Sequence, residues 1–200
     1  MDTSKAVCAF PGCEKPALSF TSYCAEHLPD PHRHMERVMD YLSGREDHSD
    51  ICLAGITISG MNLEKHRFRD CIFDEAVFLD CSLEKSMIQG CFFSNARFEN
   101  CRFSGCEIRY SIFCGSDFRD CDFQGSDILH SNFNGIHGLR LNFSDSDLYY
   151  SSFVSSRLEE VRFIDCNLKK VNYLNTTRDT VNFKYSNYEE AVFAAIQNEE

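Results

Sequence analysis

Four residues near the N-terminus have the types and spacing to hold a metal ion: Cys8, Cys13, Cys24 and His27. Three thiols and one imidazole suit tetrahedral zinc, and a closed set of four ligands leaves no open position for a reacting water. The implied chemistry is therefore structural, not catalytic. Pro11-Gly12 supplies a turn just before Cys13, and the close spacing of Cys24 and His27 fits a second ligand-bearing turn. These cysteines stand outside the periodic pattern of the rest of the chain, so they need a reason of their own.

That pattern has a period of five. From Ile58 to Phe193 every fifth residue falls in one register, and 26 of these 28 positions are large and apolar or aromatic; Gly138 and Arg178 are the exceptions. A helix would smear such residues around its axis, because five steps of about 100° do not close a turn. A plain strand would throw successive members onto opposite faces. A short extended piece followed by a bend satisfies the period. The residue two before each large one then also points inward, and it is mostly small: Cys71, Ala76, Cys81, Ser86, Cys91, Ala96. A short fixed period marks a repeat protein in which each unit buries its face only against the next.

Segments such as Cys71-Ile-Phe-Asp-Glu, Ala96-Arg-Phe-Glu-Asn and Ser116-Asp-Phe-Arg-Asp resemble pentapeptide repeats. The resemblance implies an all-β solenoid, a right-handed four-sided parallel β-helix of about seven coils with four pentapeptides per coil. At ~4.8 Å per coil such a rod is roughly 34 Å long. Residues 51–195 form this body. Residues 1–29 form a segment similar to a zinc knuckle, 30–50 a capping helix with a charged linker, and 196–200 a C-terminal tail. In the helical piece Asp30 is the expected N-cap and Pro31 the first helical residue. Met35, Val38, Met39 and Leu42 supply one apolar stripe, Gly44 the stop, and residues 45–50 the linker. His32 and His34 read as solvated helix residues. The helix and the knuckle are expected to cover the open first coil. Leu53 is the expected first inward residue of the coils, and a loop or bulge is expected at Gly138, where Leu141 supplies volume. Residues after Phe193 read as a final helical turn.

Seven of the twelve cysteines (Cys71, Cys81, Cys91, Cys101, Cys106, Cys121, Cys166) sit at the small inward position, where a thiol fills the space of serine or alanine. Cys81, Cys101 and Cys121 should stack in adjacent coils at a spacing that just admits a disulfide, yet inward thiols in a reducing compartment stay reduced. The first residues are polar, without the layout of a signal peptide, and no apolar run approaches the ~20 residues of a membrane span. A soluble, cytoplasmic protein is expected.

The chain carries a net charge of −11, of which residues 56–195 hold −5. Sorted by side, three faces mix both signs. The fourth carries only Asp74 and Glu75, has no charge from Cys91 onward, and presents Ile72, Phe92, Ile112, Val154 and Leu174 outward; Tyr110, His130 and Tyr150 follow one another on its corner. An uncharged stripe with outward apolar groups marks a contact surface for a partner protein, a second copy or the chain's own N-terminal segment. The expectation is a non-enzymatic protein-interaction scaffold with structural zinc. The family resemblance also implies an alternative, a DNA mimic that binds gyrase or another type II topoisomerase and protects it from quinolones; the modest charge of the rod and its mixed-sign faces weigh against it. Direct nucleic-acid binding is disfavoured because residues 1–50 are acidic and lack a basic patch. An enzyme is disfavoured because no nucleophile and base converge on a pocket.

Overall fold

The structure is a computed structural model and describes residues 6–193. The tail expected at 196–200 and the helical turn expected after Phe193 lie outside these residues. The rest is a parallel β-solenoid of about seven coils preceded by one α-helix. No helix among the described residues is long and apolar enough to cross a membrane.

Each coil advances the chain by twenty residues, and the strand pairing of the rod follows from that number. One side is a parallel sheet of Asp47–Ser49, Arg67–Arg69, Met87–Gln89, Glu107–Arg109 and Asp127–Leu129. Another is a parallel sheet of Thr57–Ser59, Val77–Leu79, Arg97–Glu99, Asp117–Arg119, His137–Leu139, Arg157–Glu159 and Thr177–Asp179. The remaining two sides are built from single-residue parallel bridges, Cys52 to Ile72 to Phe92 to Ile112 on one and Asn62 to Ser82 to Arg102 to Asp122 on the other. Every fifth residue from Asp50 to Tyr185 turns the corner in the left-handed region, whether glycine, as at Gly55 (φ 69°), or bulky, as at Tyr110 (φ 53°).

The large inward residues stack ring upon ring. Phe93, Phe113 and Phe133 are 4.7 Å apart centre to centre, and Phe98 lies 4.6 Å over Phe118. A third column runs from Phe103 through Phe123 and Phe143 to Phe163 and Phe183. The small inward position has a second requirement beyond size. Its hydroxyl or thiol donates to the carbonyl of the large residue one coil back: Ser116 Oγ to Phe93 O at 2.6 Å, Ser126 Oγ to Phe103 O at 2.8 Å, Cys106 Sγ to Leu83 O at 2.8 Å. Serine and cysteine recur there because both are small donors. Burial pushes the Cys106 thiol up to about 12, so these core thiols are not nucleophiles at neutral pH.

Gly138 makes neither loop nor bulge, contrary to expectation. His137–Leu139 keeps its register, with Gly138 opposite Phe118 and Leu158. A Cβ at Gly138 would come within 2.7 Å of Leu141 Cδ1, so the neighbouring leucine fills the missing volume. Arg178 lies in an exposed strand of the last coil, with its guanidinium 4.7 Å over the Phe193 ring.

At the other end the helix Pro31–Ser43 lies against the first coil. Asp30 Oδ1 accepts the Arg33 N–H at 3.0 Å, as an N-cap should, and Val38 and Leu42 are buried. Two expectations need correction here. His34 is buried on the same helical face as Val38 and Leu42, not solvated. Residues 45–50 are not a linker: Asp47–Ser49 is the first strand, and His48 pairs with Phe68 in the large inward register, one step before Leu53. An imidazole stands where phenylalanine, isoleucine or leucine stands in later coils.

His48 is 1% exposed, with its ring 4.7 Å from Phe68 and 5.4 Å from Tyr41. Its Nε2 and the Nδ1 of buried His66 are 3.0 Å apart. Burial, then the neighbouring His66 and Arg45, lower His48 to about 4, with Asp47 opposing; burial also lowers His66, with Glu46 opposing. The unfolded chain takes up the proton near pH 6.5, before the folded one does. Stability is therefore fully present above pH 6.5 and falls as the pH drops from there toward 4. The His48 share is on the order of 3 kcal/mol. Urea midpoints measured between pH 4 and 7 should show this slope, and His48→Phe should flatten it.

Candidate metal centre

Residues 6–28 fold back on themselves. Val7 and Pro16 form an antiparallel bridge, Cys8 N–H donates to Lys15 O at 2.9 Å, and Cys13 N–H donates to Phe10 O at 3.1 Å. Gly12, at φ 79°, permits the reversal between Phe10 and Cys13. A second turn, the 3-10 piece Ala25–His27, places His27 beside Cys24.

The four expected ligands meet. Cys13 Sγ is 3.8 Å from Cys24 Sγ; His27 Nδ1 is 3.3 Å from Cys24 Sγ and 3.6 Å from Cys8 Sγ. All four ligand atoms lie within 4.8 Å of one another. A tetrahedral ion with bonds of ~2.3 Å to sulfur and ~2.0 Å to nitrogen requires edges of about 3.8 Å between sulfurs and about 3.5 Å between sulfur and nitrogen. The three separations above match these edges, and the cluster could hold a metal ion. Cys8 and Cys24 are buried, and Phe10 stacks on the His27 ring at 3.9 Å and 3°, which fixes the imidazole.

The electrostatics favour a cation. Burial would raise Cys8, but hydrogen bonds from the backbone of Cys24 and Phe10, with those of the His27 and Cys24 side chains, outweigh it and bring the thiol down to about 6. The backbone N–H of Lys15 draws Cys13 down, but burial and the neighbouring Cys24 and Cys8 sulfurs push it above its ordinary value. Crowded sulfurs that resist joint ionisation are what a dication relieves.

The residues expected on a contact surface lie along one side of the rod. Phe92 is 41% exposed, while Ile72, Ile112, Val154 and Leu174 are half-buried. On the adjoining corner Tyr110 (61% exposed) and Tyr150 (55%) sandwich His130, with ring centres 5.4 and 5.0 Å apart. Lys170 continues the column, its Nζ 5.5 Å over the Tyr150 ring. Among the described residues, the chain's own N-terminal segment covers only the beginning of this side: Ser19 bonds to Cys52, which is 3% exposed. Sequence reasoning missed Ser19, because nothing in its neighbours marks a contact with a residue thirty-three positions away.

Residues 61–133 match the family model described as a pentapeptide repeat region. No curated protein matches the chain. Among solved structures, it is similar to HetL, a pentapeptide repeat protein involved in heterocyst differentiation regulation from the cyanobacterium Nostoc, with 14% identity over 80% of this chain and 96% of that one and a TM-score of 0.41. It is also similar to QnrB1, a plasmid-mediated fluoroquinolone resistance protein, with 16% identity over 72% and 85% and a TM-score of 0.37. Rfr23, a pentapeptide repeat protein from the cyanobacterium Cyanothece, matches at 9% identity over 80% and 99% with a TM-score of 0.28. Residues 61–133 are thus a pentapeptide repeat region, and the same five-residue geometry continues to either side of it.

Proposed function

We propose that this chain is a non-enzymatic scaffold that binds a protein partner through its uncharged face, with Cys8, Cys13, Cys24 and His27 holding a structural zinc ion that folds the N-terminal cap. The observation that carries the reading is that face. From Cys91 onward it bears no charge, yet it holds Phe92 at 41% exposure beside Ile112, Val154 and Leu174. A solvated face has no use for such a stripe, whereas the core of a protein interface is depleted in charge and enriched in aromatics.

The corner supports the same reading. The left-handed conformation suits glycine and asparagine and costs a bulky side chain roughly 1–2 kcal/mol. Tyr110, His130 and Tyr150 occupy it with large exposed rings. The fold alone would be better served by small residues, so these rings point to recognition.

The other faces disfavour a mimic of duplex DNA. Their carboxylates are matched locally by bases: Asp47 by Arg67 at 2.5 Å, Glu84 by Arg102 at 3.0 Å, Asp120 by Arg140 at 2.5 Å, and Glu159 by Arg157. A surface neutralised pair by pair lacks the continuous negative field of a phosphate backbone. The abundance of reduced thiols, none of them in a disulfide, suits a reducing compartment such as the cytoplasm.

Phe92→Glu combined with Ile112→Glu should abolish partner capture, or shift the sedimentation coefficient where the partner is a second copy, with the melting temperature moved by less than about 3 °C. Reversal of Arg97 on a charged face should change neither. Identical sedimentation and an identical set of captured proteins for the face variant would remove the contact-surface reading.

A further inference from the structure

The N-terminal segment closes an open sheet edge at the head of the uncharged face. Within the rod each coil of this face is bonded in both directions: Ile72 N–H donates back to Ile51 O, and Leu53 N–H donates forward to Ile72 O, both at 2.8 Å. Cys52 belongs to the first coil, so no coil precedes it to take its N–H or supply its carbonyl. Ser19 does both. Its Oγ accepts the Cys52 N–H at 2.9 Å, and its own N–H donates to Cys52 O at 2.8 Å. One serine thus stands in for the missing coil. An edge left bare in this way is a template for other strands.

The cover extends over the side chain as well. Cys52 occupies the outward position of Ile72, Phe92 and Ile112 in one bridge column, yet it is 3% exposed where Phe92 is 41%. The knuckle makes the difference. Leu18, beside Ser19, is buried in the rod's hydrophobic core. Ala25 Cβ would lie 3.3 Å from a Cβ at Gly55, an approach that the glycine corner permits. Lys15 Nζ reaches Glu26 of the knuckle at 2.7 Å and Glu75 of the rod at 3.8 Å, across a cleft of 320 Å³.

The segment that makes these contacts cannot fold on its own apolar content. Twenty-odd residues bury too little surface to order themselves without a metal or crosslink. The coils from Leu53 onward, by contrast, hold a continuous stacked core that the knuckle touches at one end, through Leu18 and the flanking Phe20, Ala25 and Leu28. We propose that metal occupancy at Cys8, Cys13, Cys24 and His27 acts as a latch: the loaded knuckle holds Ser19 on Cys52 and covers the head of the uncharged face, and loss of the metal lifts this cover while the rod stays folded. The accessible stripe then lengthens from Phe92 back to Cys52, whose two bonds to Ser19 are broken. The proposal rests on the metal reading of the knuckle and adds a regulated contact to it.

The test uses the full chain loaded with zinc and the same chain stripped by a chelator, each treated briefly with N-ethylmaleimide and mapped by mass spectrometry. Loaded protein should carry no adduct at Cys52. Stripped protein should carry adducts at Cys8, Cys13, Cys24 and Cys52, with Cys91, Cys101 and Cys121 unmodified. Hydrogen exchange at the Cys52 amide should accelerate at least tenfold on stripping, with exchange at Phe113 and Phe133 unchanged. Readdition of zinc to stripped protein before labelling should restore both. Adducts at Cys8, Cys13 and Cys24 with Cys52 still protected would overturn the latch while leaving the metal centre intact. Labelling of the inward core thiols on stripping would also overturn it, because the rod would then have unfolded with the knuckle. Failure of the chain to take up one zinc, with the same labelling before and after the chelator, would overturn the metal reading and the latch together.

Discussion

Replacing Phe113 with alanine should destabilise the rod by about 3–5 kcal/mol, the range for removing a fully buried ring without collapse of the cavity. The geometry places this substitution at the costly end. Phe113 is 0% exposed, lies between Phe93 and Phe133 at 4.7 Å on both sides, and packs at an angle against Phe118. Because each coil touches only its neighbours, a defect here weakens two interfaces at once, and no third layer can move in to fill the space. Phe183 offers the internal comparison. It sits in the last described coil, half-buried, stacked on Phe163 at 5.2 Å with no further ring in its column among the described residues. Phe183→Ala should cost less than half as much. Urea unfolding followed by tyrosine fluorescence and circular dichroism would measure both. Equal costs for the two substitutions would mean that stability does not accumulate coil by coil.

Most of this rod was legible because its inward positions repeat a single chemistry. Where the chemistry changed, the reading failed. His48 continues the large register back by one step, but an imidazole does not announce itself as a core residue, so the sequence alone reads the strand Asp47–Ser49 as a linker. His34 was hidden in the same way on the helix. At Gly138 the interruption in type suggested an interruption in backbone. The strand carries on because its hydrogen bonds do not depend on the side chain and Leu141 fills the gap. The inward serines and cysteines were recognised as small, whereas their part as donors to carbonyls one coil back depends on contacts across twenty-three residues. The convergence of Cys8, Cys13, Cys24 and His27 is legible for the opposite reason: these cysteines fall outside the period. The docking of the knuckle on Cys52 left no local trace in the sequence.

The largest effect at the knuckle should come from Cys24→Ser. Cys24 is central to the cluster, 3% exposed, with its sulfur 3.8 Å from Cys13 Sγ and 3.3 Å from His27 Nδ1. A hydroxyl is a harder and far less acidic ligand than a thiolate, so the variant keeps three ligands and leaves the fourth site to water. Closed sites of this kind contribute about 10–16 kcal/mol of metal binding, which is also the folding free energy of the segment that forms them. Loss of a ligand should lower zinc affinity by more than about 100-fold, since even the loss of a supporting hydrogen bond costs 10–100-fold. Competition with a chromophoric chelator should show one tightly held zinc per wild-type chain and none per Cys24→Ser chain. Cys114→Ser is the control, because that half-buried residue lies on the uncharged face, far along the chain from the cluster. The rod gives the second readout. Its stacked rings run from Phe68 to Phe193 without involving the knuckle, so its main unfolding transition should stay within about 1 kcal/mol of wild type. A Cys24→Ser chain that still bound one zinc with unchanged affinity would show that the four residues are not a ligand set, and their convergence would have to be explained as packing alone.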